Sequence, residues 1–151
     1  MPESWATRRA RWRWNWIPAW RGTGARVTYI ADDWREVRVA LPLNRQTRNV
    51  VGTIFGGSLY AAADPVYMIM LIQLLGPGHQ VWDKAASIRF LRPGRTTLFA
   101  RFELPEEETT AIRRGLESSE KLDRVYQVDL VDVEGVAHAS VEKTVNIRRR
   151  R

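Results

Sequence analysis

A glycine-rich turn followed by an aspartate is the stretch of this sequence that could do chemistry. From position 49 it reads NVVGTIFGGSLYAAAD, with glycines at 52, 56 and 57 and a carboxylate at Asp64. Backbone N–H groups at the start of a helix, made approachable by glycine, can stabilise negative charge that develops on a carbonyl oxygen. A carboxylate among apolar residues can act as a general base or nucleophile, because such surroundings shift its pKa. The combination suits hydrolysis at an acyl carbonyl.

The same residues also have a purely structural interpretation. The glycines can form a tight turn into the helix, and Asp64 can cap a backbone group or interact with the dipole at the helix N-terminus. Carboxylates with a perturbed pKa mark functional sites only as a tendency. Both interpretations stay open on these residues alone.

Other catalytic arrangements find little support. Ser58 follows two glycines, but Tyr60 stands where the nucleophile elbow Gly-x-Ser-x-Gly needs a glycine. His79 and His138 are isolated and the chain has no cysteine, so we predict no metal site. No Gly-Lys-Ser/Thr follows the glycines, so they do not form a phosphate-binding loop. We predict neither a metal nor a cofactor.

The aspartate lies in a long apolar segment, Ser58 to Leu75, which only Asp64, Pro65 and Gln73 interrupt. A helix that is apolar on every face must be enclosed by other elements. Its length also meets the usual criterion for a membrane span, but an ionised aspartate near its middle costs about 2.5–3.5 kcal/mol on insertion scales. Strand patterns on both sides favour a buried core helix and no transmembrane segment.

The flanking sequence alternates with the period of β-strands. The predicted elements are a strand pair in 27–43 with Pro42 at a strand end or edge, a hairpin of 81–91 and 96–104 across a Pro-Gly turn, a helix over 105–121, and a hairpin of 125–133 and 136–147. Short connections predict an antiparallel sheet with the long helix on its concave face. We therefore predict one α+β domain over residues 1–151.

The N-terminus, residues 1–24, is rich in arginine and tryptophan and carries five of the seven tryptophans. Their spacing predicts an amphipathic helix, packed on its own domain or a partner subunit, or lying at a membrane interface. No apolar segment typical of a secretion signal follows the arginines, so we expect a cytoplasmic protein. The arginines of 148–151 are expected to form a disordered tail.

A formal charge of +7 favours anionic partners, which could be nucleic acid, an anionic membrane or a phosphorylated small molecule. Four cations could bind the phosphates of an acyl carrier, although charges spread in this way are usually just a solvated face. These are Lys84, Arg89, Arg92 and Arg95.

From about Val27 to Ile147 the order of elements resembles the hotdog-fold thioesterases, in particular the phenylacetate-degradation type and related bacterial domains of unassigned function. That family has an Asn, a Gly three residues on, a His-Gly-Gly three further, and a carboxylate seven residues after the second glycine. The matching positions are Asn49, Gly52, Phe55, Gly56, Gly57 and Asp64. Five of the six agree, and Phe55 replaces the histidine.

The resemblance implies hydrolysis of an acyl thioester of coenzyme A or an acyl carrier. It implies that the Gly57 N–H polarises the thioester carbonyl and that Asp64 is the general base or nucleophile. Asn49, Phe55 and Gly56 fall at substrate-binding positions. The two catalytic groups usually come from opposite subunits, so a homodimer or a dimer of dimers is implied.

Two departures from the family pattern keep other functions open. Phe55 in place of histidine affects substrate positioning, and Pro65 directly follows the catalytic position. One alternative is a hotdog acyl-binding protein that does not hydrolyse its ligand. The other is a module that binds an anionic surface, either a membrane or nucleic acid, through its Arg/Trp N-terminus and its arginine tail. For the thioesterase itself we expect no nucleic-acid partner.

Overall fold

Alternating apolar and polar residues form a six-stranded antiparallel sheet in the computed structural model, which describes residues 1–151. The strands are β1 Arg26–Ile30, β2 Glu36–Leu41, β3 His79–Phe90, β4 Leu98–Glu103, β5 Lys121–Val131 and β6 Ala137–Arg149. Their order across the sheet is β1-β2-β4-β5-β6-β3, so β1 and β3 form the two edges. This confirms the predicted α+β architecture.

The central helix covers Gly56–Leu75 and is interrupted once. It consists of α3, Gly56–Ala61, and α4, Val66–Leu75, separated by a turn that ends at Pro65. Proline cannot donate a backbone hydrogen bond, which accounts for a break at this point. Gly76, with a φ of 80°, ends α4 in a backbone conformation that glycine adopts most readily.

The central helix is less enclosed than its composition predicts. Met70 and Leu71 face the sheet and are buried, whereas Ile72 and Gln73 are exposed. Half of Gly56–Leu75 is buried inside the domain, which identifies this apolar segment as the core helix. The uncovered face is an unpartnered apolar surface of the chain.

One predicted strand pairing is wrong. The segments assigned to a hairpin across Pro93-Gly94 do form strands β3 and β4, but β3 pairs with β6 whereas β4 lies between β2 and β5. A Pro-Gly turn predicts that the chain changes direction, and it does not determine which strands pair. The Gly94 carbonyl instead accepts a hydrogen bond from the Ile54 N–H, which ties this connection to the loop before α3.

The last hairpin is confirmed, since β5 and β6 pair antiparallel along almost their whole length. Helix α5, Glu106–Ser118, precedes them and follows Pro105, with three glutamates in its first turn where the helix dipole favours acid. β6 continues through Arg149, two residues into the segment expected to be disordered. Pro42 directly follows the last residue of β2, as predicted.

The N-terminal segment forms two helices, α1 Trp5–Asn15 and α2 Pro18–Gly22. They pack at the β1 edge, where the Asn15 side chain exchanges hydrogen bonds of 2.8 Å with both backbone groups of Val27. Trp14 and Trp20 are buried against each other with ring centroids 5.7 Å apart. The N-terminal segment therefore packs on its own domain, but only Trp14 and Trp20 of its five tryptophans are buried in that packing.

Candidate functional site

Asp64 lies in the turn that separates α3 from α4. Its side chain is 48% exposed, and its Oδ1 atom accepts hydrogen bonds from the Tyr60 hydroxyl at 2.6 Å and from Lys143 Nζ at 3.0 Å. No hydrogen bond within the chain reaches Oδ2. One carboxylate oxygen is thus anchored, while the other is available to solvent or a ligand.

The anchor is a lysine with a fully buried side chain, Lys143 in β6. Besides Asp64, its ammonium group contacts Asp83 Oδ2 at 3.2 Å and the Tyr60 hydroxyl at 3.3 Å, and it lies 5.4 Å from the Tyr60 ring centroid. We call these four residues the Asp64 cluster. A buried ammonium group requires such partners, because a charge without them is costly to remove from water.

Strand geometry brings the cluster under the central helix. Lys143 belongs to the face of β6 that also carries the buried Val141 and Val145. On β3, the pairing register shifts between Asp83 and Ala85, so Asp83 pairs with Val145 across the sheet and turns toward the same face. β-bulges of this kind commonly redirect a side chain next to a functional site.

The cluster perturbs the protonation of its members. Burial raises the pKa of Asp83, and the neighbouring Lys143 ammonium only partly offsets this. Burial also lowers the pKa of Lys143, but its contacts with the two carboxylates outweigh that effect, so its pKa lies above the ordinary value. The pKa of the Tyr60 hydroxyl is raised by burial and by its hydrogen bond to Asp64. Lys143 is therefore a permanent cation at neutral pH.

The glycine turn places two backbone donors at the start of α3. Gly56 and Gly57 occupy the first turn of this helix, and no carbonyl or side chain of the chain accepts their N–H groups. The Phe55 ring lies beside Gly57, since a Cβ atom added there would lie 2.5 Å from Phe55 Cε1. A Cβ on Gly56 would lie 3.2 Å from the Phe90 ring. The free N–H groups are thus bordered by two exposed phenylalanine rings.

Asn49 organises the loop before this turn. Its side-chain carbonyl accepts hydrogen bonds from the N–H groups of Val51 and Thr53, and its amide donates to the Thr53 hydroxyl at 2.9 Å. These local bonds occupy most of its hydrogen-bonding capacity. The structure therefore gives Asn49 a role in shaping the turn.

Within one chain, Gly57 and Asp64 are separated by seven residues. At a rise of 1.5 Å per residue, this corresponds to about 10 Å along a helix. The helix is broken at residues 62–65 between them, so this spacing describes their order along the chain and not a distance between the reacting atoms.

Asp64 was a candidate from the sequence, whereas its contact residues Lys143, Asp83 and Tyr60 were not. A signal for Lys143 was present, because it occupies the same alternating register as the apolar residues of β6. A lysine on the apolar face of a strand indicates a buried partner of opposite charge. Asp83 had no comparable signal, since its orientation depends on the bulge at Lys84.

Two of the four cations suggested for phosphate binding are engaged within the chain. Lys84 pairs with Asp123 at 2.6 Å, and Arg92 donates to the Ala137 carbonyl at 2.7 Å. A cleft of about 860 Å³ lies instead beside Gln80 and the C-terminal arginines. Gln80 and Phe90 are ten residues apart in β3, which is about 33 Å of strand. That cleft is therefore remote from the glycine turn.

Three solved structures resemble the whole chain. The protein PA5026 of Pseudomonas aeruginosa, of unknown function and described as "Probable Thioesterase", has a TM-score of 0.84 at 20% identity, with 99% of each chain covered. The thioesterase HI1161 of Haemophilus influenzae has a TM-score of 0.71 at 16% identity, covering 97% of this chain and 93% of the other. PaaI from the phenylacetic acid degradation operon of Escherichia coli has a TM-score of 0.65 at 19% identity, covering 97% and 94%.

These likenesses confirm the hotdog fold implied by the resemblance. No curated protein matches the sequence. A family described as a domain of unknown function, DUF4442, matches residues 11–147, which include both the glycine turn and the Asp64 cluster. The chain therefore belongs to the DUF4442 family and has the fold of the hotdog thioesterases.

Proposed function

We propose that this protein hydrolyses acyl thioesters of coenzyme A or an acyl carrier. The observation that carries the proposal is the Asp64 carboxylate, with one oxygen fixed by a buried lysine and the other free at the surface of the core helix. An anchored carboxylate with one free oxygen is suited to activating water or attacking a carbonyl.

The general-base route uses the free Oδ2 atom of Asp64. This atom takes a proton from a water molecule while the water oxygen attacks the thioester carbon, and the carbonyl oxygen becomes an oxyanion. When the C–S bond breaks, the departing sulfur takes the proton from Asp64. The products are a carboxylic acid and a free thiol, and Asp64 returns to its ionised form.

The oxyanion requires backbone donors, and the family resemblance implies that these come from the opposite subunit. The Gly57 N–H of a second subunit can supply one, with Gly56 beside it. Backbone donors that are already oriented contribute about 10²–10³ in rate. Phe55 and Phe90, which border these donors, offer an apolar surface to the acyl group.

Two surfaces of the chain support assembly as a homodimer. β3 is an edge strand, and its middle carries the small exposed residues Ala85, Ala86 and Ser87. Such an edge presents unpaired backbone groups to another strand. The adjacent face of the central helix exposes Ile72. Pairing of two β3 strands would cover both surfaces and bring each glycine turn toward the partner's Asp64.

Sedimentation equilibrium is expected to give a particle of at least twice the 17.5 kDa mass of the chain. The expectation follows from the proposed sharing of the site, in which the Gly57 N–H of one subunit serves the Asp64 of the other. A preparation that stays monomeric at every concentration and still hydrolyses thioesters would rule out a site shared between subunits.

The function is tested by thiol release from short, medium, long and aromatic acyl-coenzyme A esters, with the corresponding oxygen esters as a control. The chain contains no cysteine, so it contributes no thiol signal of its own. Release from at least one thioester is expected, and its acyl group defines the specificity. Saturable binding of these esters without release would instead favour the acyl-binding alternative.

Two substitutions at Gly57 test the oxyanion donor. Gly57→Pro removes the N–H, and proline is tolerated in the first turn of a helix. Gly57→Ala keeps the N–H but adds a Cβ atom against Phe55, so it is the matched control for the steric change. We expect Gly57→Pro to lower kcat about 100-fold further than Gly57→Ala. Equal effects of the two substitutions would exclude the N–H as a donor.

A further inference from the structure

Three tryptophans of the N-terminal segment point away from the domain. Trp5, Trp12 and Trp16 are 74%, 62% and 55% exposed, whereas Trp14 is buried. At about 100° per residue, positions 5, 12 and 16 fall within roughly 40° of each other around a helix. They form one stripe along α1 and its C-terminal cap, which we call the tryptophan face.

The opposite side of α1 is firmly held, so the exposure of this face is a property of the fold. Glu3 forms a 2.8 Å ion pair with Arg11 and accepts a hydrogen bond from the Ile30 N–H. Asn15 is joined to the backbone of Val27, and Trp14 packs on Trp20. Rotating α1 to bury the tryptophan face would break all of these contacts.

Arginines surround the exposed indoles. Arg9 lies over the Trp5 ring at 5.9 Å and Arg21 over the Trp16 ring at 4.4 Å, and both guanidinium groups belong to exposed residues. Arg13 is exposed beside the stripe, and Arg8 is exposed but lies 3.7 Å from Glu3, the only acid of this segment. The face therefore combines a large aromatic surface with the uncompensated charge of Arg9, Arg13 and Arg21.

We propose that the tryptophan face binds the surface of an anionic lipid bilayer. Indole rings favour the boundary between headgroups and acyl chains, where the ring is partly buried and its N–H stays hydrated. Arginines flanking them can reach phosphate groups of the headgroups. Ile17, also exposed directly after Trp16, adds apolar surface at the end of the stripe.

The shape and position of this face favour a bilayer over other partners. Single-stranded nucleic acid is bound in a basic groove that tracks its backbone, whereas these rings project from a convex helix. α1 packs at β1, and β1 and β3 are opposite edges of the sheet. A dimer formed through β3 thus leaves the tryptophan face uncovered, so this proposal does not depend on the proposed hydrolysis.

Vesicle co-sedimentation tests the proposal, with the full chain and vesicles of phosphatidylcholine containing 30% phosphatidylglycerol. We expect binding to these vesicles, at least tenfold weaker binding to pure phosphatidylcholine, and loss of binding in high salt. The double substitution Trp12→Ala with Trp16→Ala is expected to weaken binding at least tenfold. Phe99→Ala, which removes an exposed aromatic ring from β4, is expected to leave it unchanged.

Charge is tested separately by Arg9→Gln with Arg13→Gln, for which we expect about five-fold weaker binding per arginine. Arg45→Gln with Arg95→Gln removes the same charge from exposed positions elsewhere and is the matched control. Equal effects of the two pairs, absence of binding to anionic vesicles, or binding to an oligonucleotide but not to vesicles would each overturn the proposal. Unchanged thermal unfolding midpoints establish that the variants remain folded.

Discussion

Replacing Asp64 by asparagine is expected to lower kcat for thioester hydrolysis by about 10²–10⁴, the range that general-base and nucleophilic groups contribute. Asparagine has the same shape, and its carbonyl oxygen can still accept from Tyr60 and Lys143 in the positions that Oδ1 occupies. What it loses is the basic, nucleophilic oxygen. Lys143 keeps Asp83 as a charged partner, so the fold is expected to persist.

The measurement is thiol release by the wild type and the variant at matched concentrations, with circular dichroism to establish folding. Asp32→Asn is the matched control, because Asp32 is exposed in the turn between β1 and β2 and away from the cluster. Turnover that survives in Asp64→Asn, or falls equally in Asp32→Asn, would contradict the assignment.

Mixing Asp64→Asn with Gly57→Pro tests whether the site is shared. In a dimer with twofold symmetry, the mixed species regains one site made from the intact Asp64 of one subunit and the intact Gly57 of the other. If subunits exchange freely, an equal mixture is expected to recover about one quarter of wild-type activity. No recovery after exchange would place both groups in the same subunit.

The fold was predictable largely because its signals are local. The apolar run of the central helix, the alternation in β5 and β6, and the proline before α5 each determine an element without reference to the rest of the chain. Asp64 stood out as a candidate for the same reason, since a charge in an otherwise apolar segment is visible in the sequence. These parts of the structure needed no knowledge of long-range pairing.

The parts that were missed depend on pairing between distant segments. Strand β3 lies beside β6 rather than β4, and this pairing, with its bulge, is what turns Asp83 toward Lys143. Nothing within β3 specifies that register. The same holds for the N-terminal helix. Its tryptophan spacing predicts a helix, but the sequence does not show which tryptophans are buried, because that depends on contacts with β1.

The buried lysine has a second large expected effect, this time on stability. Lys143→Met keeps the length and apolar stem of the side chain but removes the cation between Asp64 and Asp83. Removing one partner of a buried ion pair leaves the other uncompensated and costs about 3–5 kcal/mol. Because Asp64 is half exposed, we expect the lower end, about 3 kcal/mol of unfolding free energy at pH 8.

This loss should depend on pH with a defined sign. The pKa of Asp83 is raised in the folded protein. At pH values between the ordinary and the raised pKa, the folded state therefore binds more protons than the unfolded state, and the free energy of unfolding falls as the pH rises. Without Lys143 the pKa of Asp83 rises further, so this pH range extends upward. The deficit of Lys143→Met relative to wild type should thus be small near pH 4 and grow toward pH 8.

Urea unfolding of both proteins between pH 4 and pH 8 measures this difference directly, since effects of other carboxylates cancel in the comparison. Lys84→Met is the matched control, because its exposed pair with Asp123 should contribute little. A double variant, Lys143→Met with Asp83→Leu, removes the uncompensated carboxylate and is expected to regain most of the lost stability. A deficit independent of pH, or no recovery in the double variant, would show that Lys143 stabilises the core by packing rather than by holding the two carboxylates.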